Sequence, residues 1–245
     1  MDHPTPVRVA MWSGPRNIST AMMRSWGNRD DTAVCDEPLY AHYLDATQKP
    51  HPGRDEVIAA GETDWQKVVA GLVASVPGGK RAYYQKHMTH HLLPHMSREW
   101  VLKLTNCFLI RHPREVLASY AKVVEMPQLE DTGFPQQAEI FQYVSIATGR
   151  IPPVIDAADV LRNPRKILGL LCDAVNLDFQ ESMLSWPPGP RPTDGVWARH
   201  WYAEVEKSTG FRPYQPKEYT LSTRLQTLCD QCLDYYERLY AHRIV

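Results

Sequence analysis

A three-layer α/β fold, with a central and mainly parallel sheet flanked by helices, is predicted by two observations. Short apolar runs alternate along the chain with stretches of helical spacing, and the runs are too continuously apolar to belong to half-exposed strands. Two of these runs end in polar turns that lead straight into helices, at residues 12–20 and 110–120. A sheet of this kind binds its ligands at the carboxyl ends of its strands.

Residues 7–12, Val-Arg-Val-Ala-Met-Trp, form the first strand, and residues 19–26 form the helix that follows. Residues 32–35 make a short second strand ending at Asp36-Glu37-Pro38. Pro38 disfavours helix at Glu37 and places it at a strand end or turn. Residues 48–53, rich in Pro, Gly and His, read as a loop. Trp65, Val68, Val69 and Leu72 give residues 64–74 helical spacing, closed by Pro77-Gly78-Gly79. Residues 82–86 are a third strand with His87 and Met88 just beyond it, and a helix is expected over 92–96. The clearest buried strand is 106–110, which stops abruptly at Arg111, and Pro113 opens a helix over 114–125. Residues 153–156 are a fifth strand, and Pro164 starts a helix over 165–175 with Ile167, Leu168, Leu171 and Val175 on its apolar face. The proline-rich stretch 185–192 is extended. No shift in composition divides the chain, so residues 1–245 are expected to form one domain.

A formal charge of −1 offers no basic field for nucleic acid and no acidic tract, so anion binding falls to local cationic sites. No run approaches the roughly 18 apolar residues of a membrane span, and Met1–Pro6 lacks the basic and apolar regions of a signal peptide. A cytoplasmic protein without membrane partners is the expectation. Five scattered cysteines argue against a disulfide framework. Cys229 and Cys232 form a single CxxC on a stretch where Leu221, Leu225, Leu228 and Cys232 recur at helical spacing. They read as buried helix cysteines, because no second pair completes a zinc site. His87, His90, His91 and His95 lack a carboxylate or cysteine partner at a recognised zinc spacing, and no metal is expected. Nothing in the chain specifies an oligomeric state.

The turn after the first strand reads Gly14-Pro15-Arg16-Asn17-Ile18-Ser19-Thr20. A strand, a tight turn and a helix N-terminus make an anion site, since the first-turn N–H groups lack intrahelical partners and the macrodipole is positive there. The triphosphate-binding pattern G-x-x-x-x-G-K-[ST] fails at its last three positions, which are Ser19, Thr20 and Ala21. The missing lysine and hydroxyl are the groups that would contact terminal phosphates and magnesium. A P-loop kinase is therefore the weakest of three alternatives, behind a non-catalytic nucleotide- or phosphate-binding P-loop protein and the reading given next.

The pattern Pro15-Arg16-x-x-Ser19-Thr20 resembles the 5′-phosphosulfate loop of sulfotransferases that use 3′-phosphoadenosine 5′-phosphosulfate (PAPS). In that family a strand ends in an Arg, a Pro follows shortly, and a Ser lies eight residues after the Arg; together the Arg and Ser hold the 3′-phosphate. Arg111, Pro113 and Ser119 have this spacing. Residues 156–164 are similar to the family's Tyr-Glu-x-Leu-x-x-x-Pro turn, with the Tyr and Glu replaced. The resemblance covers residues 7–186. It implies a P-loop NTPase-like fold, PAPS as cosubstrate without a metal, and sulfuryl transfer to a hydroxyl or amine of a small-molecule acceptor. It also implies a cofactor-binding set of Arg16, Asn17, Ile18, Ser19, Thr20, Arg111 and Ser119. Many members carry Ser-Gly where this chain has Asn17-Ile18. A glycine there tolerates positive φ, which isoleucine resists, so a changed loop geometry is expected.

Sulfuryl transfer requires an aligned acceptor, a neutralised leaving group and a proton acceptor. Arg16 is the candidate leaving-group cation, with Lys86 as its companion. For the base there are two candidates. Glu37 lies 21 residues beyond Arg16, close to the spacing of a glutamate base in several bacterial and glycan sulfotransferases. A structural ion pair is its competing role. Lys86-His87 resembles the Lys-Thr-His of cytosolic sulfotransferases, one residue short, and imidazole suits proton transfer near neutrality. The run Trp197-Ala198-Arg199-His200-Trp201-Tyr202 reads either as core or as a cap on adenine or acceptor, and residues 207–211 as a loop that reaches the 3′-phosphate. Residues 41–62 and 126–137 are the expected variable loops of an acceptor pocket.

Overall fold

The computed structural model describes residues 5–245. Met1–Pro4, which begin the segment read for a leader, lie outside the described residues. Five strands pair in parallel in the order β2-β3-β1-β4-β5. They are β1 (Val7–Ser13), β2 (Thr32–Asp36), β3 (Ala82–Met88), β4 (Thr105–Ile110) and β5 (Val154–Asp156). The chain leaves the central β1 first for β2 and β3 on one side, then for β4 and β5 on the other. That reversal opens a crevice beyond the carboxyl end of β1.

The helices are α1 (Ser19–Gly27), α2 (Tyr40–Thr47), α3 (Arg54–Ala60), α4 (Trp65–Val73), α5 (Pro113–Tyr120) and α6 (Phe134–Thr148). They continue with α7 (Ala157–Arg162), α8 (Pro164–Ala174), α9 (Ala198–Trp201), α10 (Ala203–Glu206) and α11 (Thr223–Tyr240). Local signals set several starts. Asp64, Asn163 and Ser222 accept first-turn N–H bonds as caps, and Pro113 and Pro164 occupy first helical positions. Residues 92–96 form a turn instead of the expected helix, because Pro94 lacks the N–H and crowds the preceding turn. Residues 41–62, expected as an open loop, contain most of α2 and all of α3, and α5 stops at Tyr120.

Side chains alternate across the sheet, so it carries two cores. On one face Met11, Tyr84, Cys107 and Ile155 pack with Met22 and Trp26 of α1 and Leu168 and Leu171 of α8. On the other, Trp12, Tyr83 and Phe108 pack with Leu72 of α4, Phe141 of α6 and Cys232 and Leu239 of α11. Cys229 and Cys232 are both buried free thiols in α11. The C-terminal third is tied back to α1 by Arg24, which donates two bonds to Asp194, at 2.5 and 2.7 Å, with both side chains almost fully buried.

This alternation separates Lys86 from His87. Parallel register sets His87 beside Trp12, and the imidazole stacks on the indole with ring centroids 4.4 Å apart. Its Nε2–H donates to Gln85 Oε1, and burial lowers its pKa to about 3. The assignment of His87 as a rival base is therefore corrected: it is a neutral core residue facing away from the carboxyl-end crevice.

Two stability measurements follow from these placements. Asp194→Ala strands a buried guanidinium and should lower urea-derived unfolding free energy by about 3–5 kcal/mol. Between about pH 6.5 and 3 the unfolded chain protonates His87 and the folded chain does not, so stability falls as pH falls through that window. His87→Gln should flatten the slope by up to about 1.4 kcal/mol per pH unit, read from urea unfolding at pH 5 and pH 4.

Candidate functional site

Four strand ends and the segment after them enclose a cleft of about 400 Å³. Its floor is the turn from β1 into α1. Gly14 opens the turn where loop 130–133 crosses it: a Cβ there would lie 2.6 Å from the Thr132 carbonyl oxygen. Arg16 adopts φ +56°, a left-handed conformation uncommon for a side-chain-bearing residue. Asn17 fixes the turn from both sides, its Nδ2 donating to the Leu109 carbonyl at 3.0 Å and its Oδ1 accepting from the Ile18 N–H at 2.8 Å. Ile18 caps α1 at φ −86°, and its side chain packs on the α1-side core. Ile18 is thus not required to adopt a positive φ, which falls on Arg16 instead. The first bond into α1 runs from Met22 N–H to the Ile18 carbonyl, leaving the amides of Ser19, Thr20 and Ala21 without intrahelical acceptors.

The second turn comes up beside the first. Arg111, beyond β4, donates one bond to the Arg16 carbonyl (2.8 Å) and one to Glu115 on α5 (2.9 Å). Ser119 on α5 accepts from Arg16 Nε at 3.0 Å. Burial, reinforced by the Arg111 guanidinium, depresses the Arg16 pKa. The terminal nitrogens of Arg16 have no hydrogen-bond partner among the described residues, and they line the same cleft as Arg111, Ser19, Thr20 and Ser119. Two guanidiniums, one paired with a carboxylate, beside a row of open amides constitute an anion site.

At the other end, register places Asp36 next to Lys86 on β3. The Lys86 ammonium is fully buried and donates to Asp36 Oδ1 (2.8 Å), Glu37 Oε1 (2.5 Å) and the Tyr202 hydroxyl (2.6 Å). These are all three of its donors. The expected role of Lys86 as a companion cation for the leaving group is corrected accordingly, since no N–H remains to offer. Burial opposes its charge, but Asp36, Glu37 and Tyr202 prevail and hold the pKa well above the usual lysine value.

Glu37 follows β2 at φ +41° and is held there by its N–H, which donates to the Lys86 carbonyl at 3.0 Å. Only Oε1 has a protein partner, and the side chain lines the cleft. Burial raises the Glu37 pKa, Lys86 lowers it, and Asp36 adds to the rise; the net direction is upward. A carboxylate with one open oxygen and a raised pKa is suited to accepting a proton.

Between the two ends one wall is aromatic. Tyr40, His51, His90, His91, Tyr120 and Trp201 line it. Burial, the largest influence on each, lowers the pKa of His90 to about 3, that of His91 well below the usual histidine value, and that of His51 below it. Tyr40 and Tyr43 both stack on His91, at 4.7 and 4.6 Å. Sequence reasoning missed Tyr40 and Tyr120, which have no motif and are brought here by α2 and α5, whereas His51 falls in the expected acceptor loop 41–62. It also gave Asp36 no role, although Asp36 stands next to Glu37. The run 197–202 contributes Trp201 and Tyr202 to the cleft, and residues beyond it contribute Ser208, Gly210, Phe211 and Arg212. Lys207 instead sits near Glu204 at 3.7 Å. No group of three His, Cys, Asp or Glu side chains positioned to hold a metal occurs among the described residues, and none of the described helices is long and apolar enough to cross a membrane.

Residues 7–242 match the family described as a sulfotransferase domain. The chain is 36% identical over 234 residues to branched-chain-amino-acid aminotransferase-like protein 2 of Arabidopsis thaliana, covering 96% of the chain and 41% of that protein. It is 38% identical over 239 residues to branched-chain-amino-acid aminotransferase-like protein 1 of the same plant, covering 97% and 42%. The chain thus spans about two fifths of the length of these curated relatives. Its fold is similar to a sulfotransferase domain from the curacin biosynthetic pathway (TM-score 0.51, 16% identity, 95% of this chain and 99% of that one). A similar likeness is found to a sulfotransferase from Alicyclobacillus acidocaldarius (TM-score 0.57, 12% identity, 98% of each chain). With its parallel sheet, its two adjacent strand-to-helix turns and a match over nearly its whole length, the chain belongs to the sulfotransferase-domain family.

Proposed function

We propose that this domain transfers a sulfuryl group from PAPS to a hydroxyl or amine of a small acceptor. The observation that carries the reading is the polarity of one cleft: free guanidinium nitrogens and open amides at one end, an unpaired Glu37 oxygen at the other. In this assignment the amides of Ser19, Thr20 and Ala21 and the Arg16 guanidinium receive the 5′-phosphosulfate, while Arg111 and Ser119 receive the 3′-phosphate. The acceptor oxygen or nitrogen attacks sulfur in line as the bond from sulfur to the phosphate oxygen breaks. Its proton passes to Glu37 Oε2, and Arg16 stabilises the charge gathering on the departing adenosine 3′,5′-bisphosphate.

The wall chemistry supports an acceptor without negative charge. The imidazoles are held neutral, and at that end two carboxyl groups, Asp36 and Glu37, share one ammonium, Lys86. An anionic acceptor would approach two carboxyl groups whose shared ammonium, Lys86, has no donor left for it.

Adenosine 3′,5′-bisphosphate at a hundred times its dissociation constant should stabilise the domain by about 2.7 kcal/mol in thermal unfolding. The shift should vanish in Arg111→Ala, and a preference for Mg-ATP would overturn the assignment. With PAPS and a panel of uncharged aryl alcohols and amines, Glu37→Gln should lower the turnover number roughly 10²–10⁴-fold. Release of bisphosphate at an unchanged rate would remove Glu37 as the base.

A further inference from the structure

The Asp36 carboxylate has no place in the transfer scheme and lies behind the cleft lining, yet three donors converge on it. Lys86 Nζ donates to its Oδ1 at 2.8 Å, the Tyr202 hydroxyl to its Oδ2 at 2.7 Å, and the Gly195 N–H to Oδ2 at 3.3 Å. Tyr202 in turn accepts from Lys86 at 2.6 Å and from Trp197 Nε1 at 3.2 Å, so its hydroxyl is saturated. Every bond in this cluster has an assigned donor and acceptor except at one atom, Glu37 Oε2.

We propose that Asp36 and Tyr202 are positioning residues that divide the Lys86 ammonium, so that it grips a single oxygen of Glu37 and leaves the other free for the acceptor proton. An undivided ammonium against a lone carboxylate would favour closer pairing and a weaker base. Asp36 takes one Lys86 donor and Tyr202 takes another, leaving one for Glu37. The proposal rests on Glu37 serving as the base.

The device has two sources in the chain. Asp36 and Lys86 come from adjacent strands, whereas Gly195, Trp197 and Tyr202 come from the segment that Arg24 and Asp194 pin to α1. The same segment runs on to Ser208, Gly210 and Arg212, which line the cleft. The partition of Lys86 is thus complete only when the C-terminal segment is seated. The ionisable groups around Glu37 are Asp36 from β2, Lys86 from β3, Tyr40 from α2 and Tyr202 following α9. Of these Asp36 and Lys86 form an ion pair, and Asp36 is the like charge that opposes ionisation of Glu37.

The experiment is a carbon-13 NMR titration of the intact protein labelled at glutamate carboxyl carbons, with the Glu37 resonance assigned by its loss in Glu37→Gln. Asp36→Asn removes the like charge and leaves Lys86 to Glu37, so the Glu37 midpoint should fall by about one to three pH units. Tyr202→Phe keeps both charges but frees one Lys86 donor, and it should move the midpoint in the same direction by a smaller amount. If Asp36→Asn does not fold, the Tyr202→Phe shift alone decides. A midpoint unmoved in the folded variants overturns the partition, because residues with only a scaffolding role would alter stability and leave the titration in place. The base assignment is tested separately by the turnover of Glu37→Gln with PAPS: an unchanged rate there alongside shifted midpoints would sink the base and keep the partition.

Discussion

One buried ammonium holds the reactive end of this molecule together. Lys86 lies in the sheet with no exposure to speak of, and its three N–H groups reach the end of β2, the residue after it and the C-terminal segment. Isolating a charge at that depth is costly, and the cost is offset only if each donor meets an acceptor. That requirement constrains much else: Asp36 must stand beside Lys86 in register, Glu37 must turn back toward it, and the segment from Gly195 to Tyr202 must be seated. A position that looks like a mobile catalytic lysine is thereby the joint on which three chain segments meet.

The opposite end of the cleft follows a different logic, in which charge is left unsatisfied. Arg16 gives only Nε to Ser119, Arg111 gives Nε to Glu115 and Nη1 to the Arg16 carbonyl and keeps Nη2 free among the described residues, and the first amides of α1 remain open. Like charges set side by side are tolerable when an anion completes them, so this end is incomplete by itself. The two ends also share a backbone peculiarity. Arg16 and Glu37 both adopt positive φ, at +56° and +41°, and both line the cleft. Conformations that side-chain-bearing residues avoid persist where surrounding bonds over-determine them. Here Arg111 holds the carbonyl of Arg16 and the Lys86 carbonyl holds the N–H of Glu37.

The lysine and histidine at 86 and 87 show where a one-dimensional reading stops. Their adjacency resembles a catalytic pair, but neighbours in a strand point to opposite faces. Lys86 goes to the cleft side with Tyr84, and His87 goes to the core against Trp12. A one-residue difference from the Lys-Thr-His spacing is therefore a change of face, which no substitution matrix of residue types expresses. Asn17-Ile18 errs the other way. Its departure from Ser-Gly looks disruptive, yet the side chain of Asn17 supplies the bonds that hold the turn, and the left-handed residue is one position earlier.

By itself the sequence determined the parallel α/β sheet, the two polar turns that lead from strand to helix and the location of Glu37 at a strand end, because these depend on local features: apolar runs, Pro at helix starts, and fixed spacing from Arg to Ser. It did not determine which of Glu37 and His87 faces the cleft, that all three Lys86 donors are occupied, that Tyr40 and Tyr202 line the same cavity, or that Asp36 backs it through Lys86 and Tyr202. Those were decided by strand register and by the docking of residues more than a hundred positions away, since a hydrogen bond between Tyr202 and Asp36 leaves no periodicity or motif in the chain that makes it.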